Sequence, residues 1–230
     1  MSAPGPTVRS VDQVAGSEIS PGVTVREMLN DDHGCRGLHQ RRLGVSAGAR
    51  LAGTAGARGE AWYVITGTGS LGTERAGSAA LAPGTAVWLE PGGYACEGDG
   101  LEILAVTVRA GSPGTRPTHP VVRLEDCEPE RTGDREFRVL LSEGLSITQF
   151  AGLIPPGRAP AHHHTYDEVV HVLAGQGVVH LGDTDTPIGP GTSIYLPPLQ
   201  PHCLENTGAE PLQVLGVFHP ADSPAAKQVS

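Results

Sequence analysis

The segment Gly-Glu-Ala-Trp-Tyr-Val-Ile-Thr-Gly-Thr-Gly at 59–69 returns as Asp-Glu-Val-Val-His-Val-Leu-Ala-Gly-Gln-Gly at 167–177, which sets Glu168 on Glu60 at an offset of 108 residues. Pro-Gly-Thr-Ala-Val-Trp-Leu from Pro83 returns as Pro-Gly-Thr-Ser-Ile-Tyr-Leu from Pro190, at an offset of 107. Two matches at nearly one offset mark a duplicated unit. In a chain of 230 residues that restricts the fold to two similar domains in tandem. Each copy alternates short apolar runs with Gly and Pro turns about every ten residues, the pattern of an all-β sandwich or barrel. The copies are expected over residues 21–110 and 135–220. An N-terminal arm over 1–20, a connection over 111–134 that contains Pro113, Pro117, Pro120 and Pro129, and a tail over 221–230 complete the chain.

The second copy carries a chemistry that the first lacks. His162 and His164 are two residues apart, so on an extended strand they project from one face, and Glu168 adds a carboxylate to that face. His202 follows about forty residues on, a span set by the sequence itself. Imidazoles with one carboxylate suit iron, manganese, nickel, copper or zinc and suit calcium or magnesium poorly. Carried back through the offsets, His162 falls on Thr54, His164 on Gly56, Glu168 on Glu60 and His202 on Ala95. Only the glutamate survives, and one carboxylate does not hold a transition metal. The first copy is therefore expected to be metal-free and structural, with Glu60 more readily a solvated carboxylate than a hydrogen-bonded pocket residue.

The spacing of Gly157, His162, His164, Glu168 and Gly175, followed by Gly191, Pro197, His202 and Asn206, resembles the two signature motifs of the cupin superfamily. Two departures are visible: Leu199 stands where the second motif usually has glycine, and Gly157 lies one residue closer to the histidines than usual. Neither touches a ligand position. The resemblance implies two tandem jelly-roll barrels, a bicupin, with one divalent metal per chain held by His162, His164, Glu168 and His202. It also implies a homodimer, since cupins commonly pair through sheet edges and outer faces.

Composition narrows the remaining classes. The net charge of −9 disfavours nucleic acid, which is bound through clustered Lys and Arg. There is no apolar run long enough to span a membrane and no basic start followed by an apolar stretch, so neither a membrane partner nor a secretory signal is expected and a cytoplasmic location is the default. Cys35, Cys96, Cys127 and Cys203 lack CxxC spacing, which suits reduced thiols. The use of Arg, Ala, Gly and Pro, with Lys227 the sole lysine, fits a GC-rich bacterial genome.

Four protein ligands leave one or two positions of a five- or six-coordinate metal open, so the site reads as reactive. With ferrous iron, the favoured metal, the expectation is a dioxygenase acting on a small oxygenated or aromatic compound. With manganese, zinc, nickel or copper the same site suits a lyase, isomerase, cyclase or hydrolase, and without turnover a small-ligand-binding protein. Glu168 and Tyr166, which shares the parity of His164 and Glu168, are the candidate catalytic groups for proton transfer. His163 and His171 are expected on the opposite face. His180, Tyr195, Thr148 and Gln149 remain open as pocket residues, and the alternating charges from Glu125 to Arg135 read as a solvated segment.

Overall fold

The computed structural model describes residues 5–74, 77–111, 117 and 120–225; Pro113 of the connection and residues 226–230 of the tail lie outside the described residues. The described chain is all-β, broken only by the one-turn 3-10 segments Val11–Gln13, Asp31–His33 and Leu124–Asp126. It forms two tandem cupin-type jelly-roll barrels. Among the described residues no helix is long and apolar enough to cross a membrane.

The duplication is visible strand by strand. One large sheet runs Val121–Arg123, Thr85–Leu89, Glu60–Thr73, Gly92–Val108, Leu38–Val45, Val23–Leu29, Ser17–Ser20. The other runs Thr7–Ser10, Thr192–Leu196, Asp167–Ala174, Leu212–His219, Thr148–Ile154, Arg135–Leu141, Glu130–Thr132, the same order position for position. Gly67 and Gly175 occupy matching corners at φ +79° and +87°. A Cβ on Gly67 would meet the Gly100 carbonyl oxygen at 2.2 Å and one on Gly175 the Leu212 Cα at 2.9 Å, so each corner demands glycine. In the second barrel the chain breaks at this corner into Asp167–Ala174 and Gly177–Leu181, and the latter joins a separate four-stranded sheet with Gly157–Arg158, His202–Asn206 and Thr184–Ile188.

The edge strands are exchanged between the barrels. Thr7–Ser10, at the start of the chain, pairs antiparallel with Thr192–Leu196 of the second barrel, with Val8 opposite Ile194. Val121–Arg123, between the barrels in sequence, pairs back onto Thr85–Leu89 of the first, with Val122 opposite Ala86. Each exchanged strand carries a Val-Arg pair and runs into a 3-10 turn. The stretches 1–20 and 111–134 thus contain strands that cover the exposed edge of the other barrel's sheet.

Three apolar clusters hold the molecule together. Trp62, Val64, Val87, Leu89 and Ile103 fill the first barrel, and Val170, Val172, Ile194, Leu196 and Leu204 fill the second. The third lies between them, where Ala61, Tyr63, Trp88 and Leu104 meet Leu140, Val169, Tyr195 and Val217. Because alternate residues of a strand face opposite sides, the central strands are buried on both faces, one in a barrel and one between barrels. His171 falls on the inter-barrel face, buried, with its Nδ1 2.9 Å from Ser193 Oγ. Tyr195 lies there too and donates to Asp167 Oδ1 at 2.6 Å. The four cysteines are free, and burial lifts the Cys35 thiol to about 12 and Cys96 to about 11.

Two stability measurements follow from this packing. Trp62 is fully buried and its Nε1 donates to Glu60, so Trp62→Ala is expected to cost about 3–5 kcal/mol, read from the midpoint shift in urea unfolding. Burial, with the Arg42 charge adding to it, pulls the His171 pKa down to about 3. The native ring stays neutral while the unfolded chain takes up a proton below its ordinary value of 6.5. This contribution is complete above 6.5 and is lost progressively as pH falls toward 3. Between pH 6.5 and 5, wild type is expected to lose about 2 kcal/mol more than His171→Asn. Equal losses in parallel urea titrations would count against this role for His171.

Candidate metal centre

His162 and His164 do not lie on a regular strand, contrary to the simplest reading of their spacing. Between Gly157–Arg158 and Asp167–Ala174, His162 forms a reciprocal bridge with His202: the His162 amide donates to the His202 carbonyl at 3.0 Å and the His202 amide to the His162 carbonyl at 2.9 Å. The rings nevertheless converge. Centroids are 4.9 Å apart for His162 and His164, 4.5 Å for His162 and His202 and 5.2 Å for His164 and His202. One potential ligand atom from each of the three buried residues lies within 4.8 Å of the others, a set suited to a metal ion.

The surroundings orient these rings. His162 Nδ1 lies 3.3 Å from the Pro160 carbonyl and His202 Nδ1 2.9 Å from the Gln200 carbonyl. A carbonyl only accepts, so each Nδ1 donates, which leaves Nε2 as the lone-pair nitrogen of a neutral ring. His164 Nδ1 is 2.9 Å from the Tyr166 hydroxyl. Tyr166 stacks on His164 at 4.6 Å and on Phe218 at 4.3 Å, so the phenol and the phenyl hold the imidazole plane from one side. The donor set, its separation and its fixed tautomers fit a borderline divalent metal.

Glu168 is the second residue of the strand Asp167–Ala174, opposite Leu196 on one neighbour and Phe218 on the other. Its Oε2 is 3.6 Å from His164 Nε2, beside the imidazole set. Burial pushes its carboxyl up to about 7. Burial, followed by the charges of Glu168 and Asp222, raises the Tyr166 phenol further, so it keeps its proton. His163 is half-buried and outside the converging set, while His180 is buried elsewhere, with Nδ1 2.6 Å from Asp185 and Nε2 2.8 Å from Glu205. Thr148, Gln149 and Tyr195 do not line the cavity: Gln149 and Tyr195 lie on the other face from Phe150 and Leu196, and Thr148, on the face of Phe150, donates its hydroxyl to the Asp222 carbonyl at 2.8 Å.

That cavity, of about 80 Å³, is bounded by the histidines, Glu168 and Tyr166 at one end and by Phe150, Phe218, Val214 and Leu204 along its walls. Arg135 also lines it, a residue that the alternating charges of 125–135 hid among solvated neighbours. The available signal was strand parity: Arg135 shares the face of Phe137, which lines the same cavity. Leu199 replaces the expected glycine at φ 64° and is exposed, with its amide donating to the His164 carbonyl at 2.6 Å. The loop therefore braces a converging histidine in a backbone conformation that leucine adopts reluctantly.

The first barrel keeps the skeleton with different contents. Glu60 sits opposite Thr107 and Leu89, as Glu168 sits opposite Phe218 and Leu196. It is buried, not solvated, and accepts from Trp62 Nε1 at 2.5 Å, Thr107 Oγ1 at 2.5 Å and Arg41 Nη2 at 2.6 Å. Strand register also moves one equivalence. His202 pairs with Leu181 and Tyr94 with Thr73, at matching ladder positions, so Tyr94 rather than Ala95 stands at the place of His202. The repeat offset changes by one residue in the intervening loops, which the sequence match did not register. Tyr94 packs edge-on against Trp62 at 5.1 Å.

Residues 151–218 match the family model described as a cupin domain. An oxalate-binding protein of Thermotoga maritima is 33% identical over 114 residues, 44% of this chain and 94% of that protein. An uncharacterised protein of Methanocaldococcus jannaschii is 36% identical over 80 residues, 34% of this chain and 64% of that protein. The chain belongs to the cupin superfamily. Its two-barrel architecture is shared with oxalate decarboxylase from Bacillus subtilis, whose structure aligns at a TM-score of 0.78 over 94% of this chain and 77% of that one, with 15% identity.

With burial pushing the Glu168 carboxyl up to about 7, a proton and a metal held at this site would compete for it. Metal uptake by the stripped protein is expected to strengthen as pH rises through about 7 and to fail below about 6, where imidazoles titrate. Equilibrium dialysis against manganese or zinc across that range checks it.

Proposed function

We propose that this chain is a mononuclear metal-dependent cupin enzyme in which His162, His164, His202 and Glu168 hold one divalent transition metal. The carrying observation is the convergence of three imidazoles, two with Nδ1 tied to a backbone carbonyl, at the wall of a largely apolar cavity. A bound metal supplies Lewis-acid stabilisation of negative charge and open positions for a substrate oxygen. The chain's own residues orient and enclose the reactants. Phe150, Phe218 and Val214 exclude water, and Tyr166 holds His164 in plane and offers a retained phenolic proton to the cavity.

The cavity suits a compact substrate, and the likeness in fold to oxalate decarboxylase favours a reaction without net oxidation, a lyase in the first instance. Oxalate is the first compound to test, because relatives in sequence and in fold carry oxalate in their names. Loss of carbon dioxide from the oxalate monoanion leaves an electron pair on the remaining carbon, which takes up the proton to give formate, with no net oxidant required. The iron-dioxygenase reading uses the same four residues and is favoured by a ligand set that leaves room for both substrate and dioxygen.

Product yield against oxygen consumption separates the two. The lyase reading expects product from manganese-loaded protein with no net oxygen uptake, and the dioxygenase reading expects one dioxygen consumed per product with ferrous iron. In either case His162→Ala and His202→Ala are expected to lose metal, and Glu168→Gln to keep its fold while losing activity by about 100-fold. Metal content equal to wild type in both histidine variants would remove the assignment.

A further inference from the structure

We propose that Arg135 is the substrate anchor of the metal cavity and that it selects compact carboxylates, a reading that rests on the metal site proposed above. Arg135 opens the strand Arg135–Leu141 and shares the inward face of Phe137. Its Nη2 donates to the Leu204 carbonyl at 3.1 Å, on the strand His202–Asn206 that also carries one of the three converging histidines. A guanidinium has five N–H donors in a planar fork, so most of its capacity is uncommitted.

The neighbouring Asp134 acts on it by charge alone, without an ion-pair contact. Among the described residues no carboxylate lies within ion-pair distance of Arg135. Glu136, the other carboxylate at this end of the cavity, is engaged by Arg131 at 3.5 Å and Arg138 at 3.3 Å. Glu168 stands beside the imidazoles, its Oε2 3.6 Å from His164 Nε2. Burial pulls the Arg135 pKa down without discharging a group whose ordinary value is 12.5. A half-buried cation beside Phe137, Phe150, Ile154 and Val214, on which the charge of Asp134 acts from beyond ion-pair distance, is an arrangement that an anion in the cavity relieves.

The fork matches a carboxylate through two parallel hydrogen bonds, which an uncharged amide cannot reproduce. Arg135 is the only cationic Arg or Lys side chain lining this cavity among the described residues. A cavity of about 80 Å³ suits a compact ligand. The geometry therefore points to a short carboxylate with a second oxygen-bearing group, one end on Arg135 and the other directed to the imidazole end. Arg135 acts as a positioning residue, and the metal ligands do not depend on it.

The experiment uses full-length, manganese-loaded protein, with oxalate and its uncharged diamide oxamide as calorimetric probes. Wild type is expected to bind oxalate and to prefer it over oxamide. Arg135→Gln is expected to lower oxalate affinity by about 10- to 100-fold, the scale of one charge-assisted pair, and to collapse the preference, with metal content unchanged. Arg135→Lys, which keeps the charge without the fork, is expected to fall between them. Oxalate binding in Arg135→Gln within twofold of wild type overturns the proposal. Should Arg135→Gln not fold, the wild-type comparison decides alone: equal affinity for oxalate and oxamide overturns it. Wild type that holds one metal and binds no carboxylate overturns the anchor and leaves the metal site standing, whereas wild type that holds no metal overturns both.

Discussion

Burial of the central strands on both faces is the constraint from which the rest of the molecule follows. Val169 and His171 pack against the first barrel, while Glu168 and Val170 face the cavity of the second. A single-residue alternation thus ties the cavity wall to the inter-barrel core, so the carboxylate beside the imidazoles is set on a strand that cannot shift without disturbing both barrels. The same enclosure keeps His171 neutral and places Tyr195 and Asp167 in a hydrogen bond between barrels. The exchanged edge strands add to this by giving each sheet a last strand from outside its own barrel.

The two barrel mouths show how one skeleton is turned to different ends. In the second, the glutamate faces imidazoles and apolar rings, and burial raises its proton affinity. In the first, the matching glutamate has its cation built in: Arg41 lies against Glu60, with Thr107 and Trp62 donating to the same carboxylate. A guanidinium, two further donors and the Tyr94 ring take up the space that ligands and cavity occupy in the other barrel. A carboxylate so fully hydrogen-bonded in a buried place stabilises a shape and has little left to offer a metal.

Leu199 illustrates a departure from the motif that the fold absorbs. Its left-handed backbone keeps the loop geometry that glycine would adopt freely, and its amide still reaches the His164 carbonyl. The loop after Leu196 therefore serves the site through its backbone, and the side chain is left in solvent.

The repeat, the all-β class and the candidate ligands were legible in the chain alone, because duplicated spacing and His-x-His parity are local properties that survive without knowledge of packing. Trp62, Val64, Val87 and Leu89 were recognisable as core for the same reason. What depended on long-range contact was not legible. The burial of Glu60 requires Arg41 and Thr107, 19 and 47 residues away. The equivalence of Tyr94 to His202 requires ladder register, and the inward turn of Arg135 requires the partner strand that carries Leu204. The exchange of edge strands leaves a faint trace as Val-Arg at 8–9 and 122–123, yet which sheet each strand joins is decided only when both barrels are folded. Sequence by itself determined which chemistry the chain can carry. The tertiary structure decided which charges are left without a partner, because pairing and burial are properties of residues brought together from distant parts of the chain.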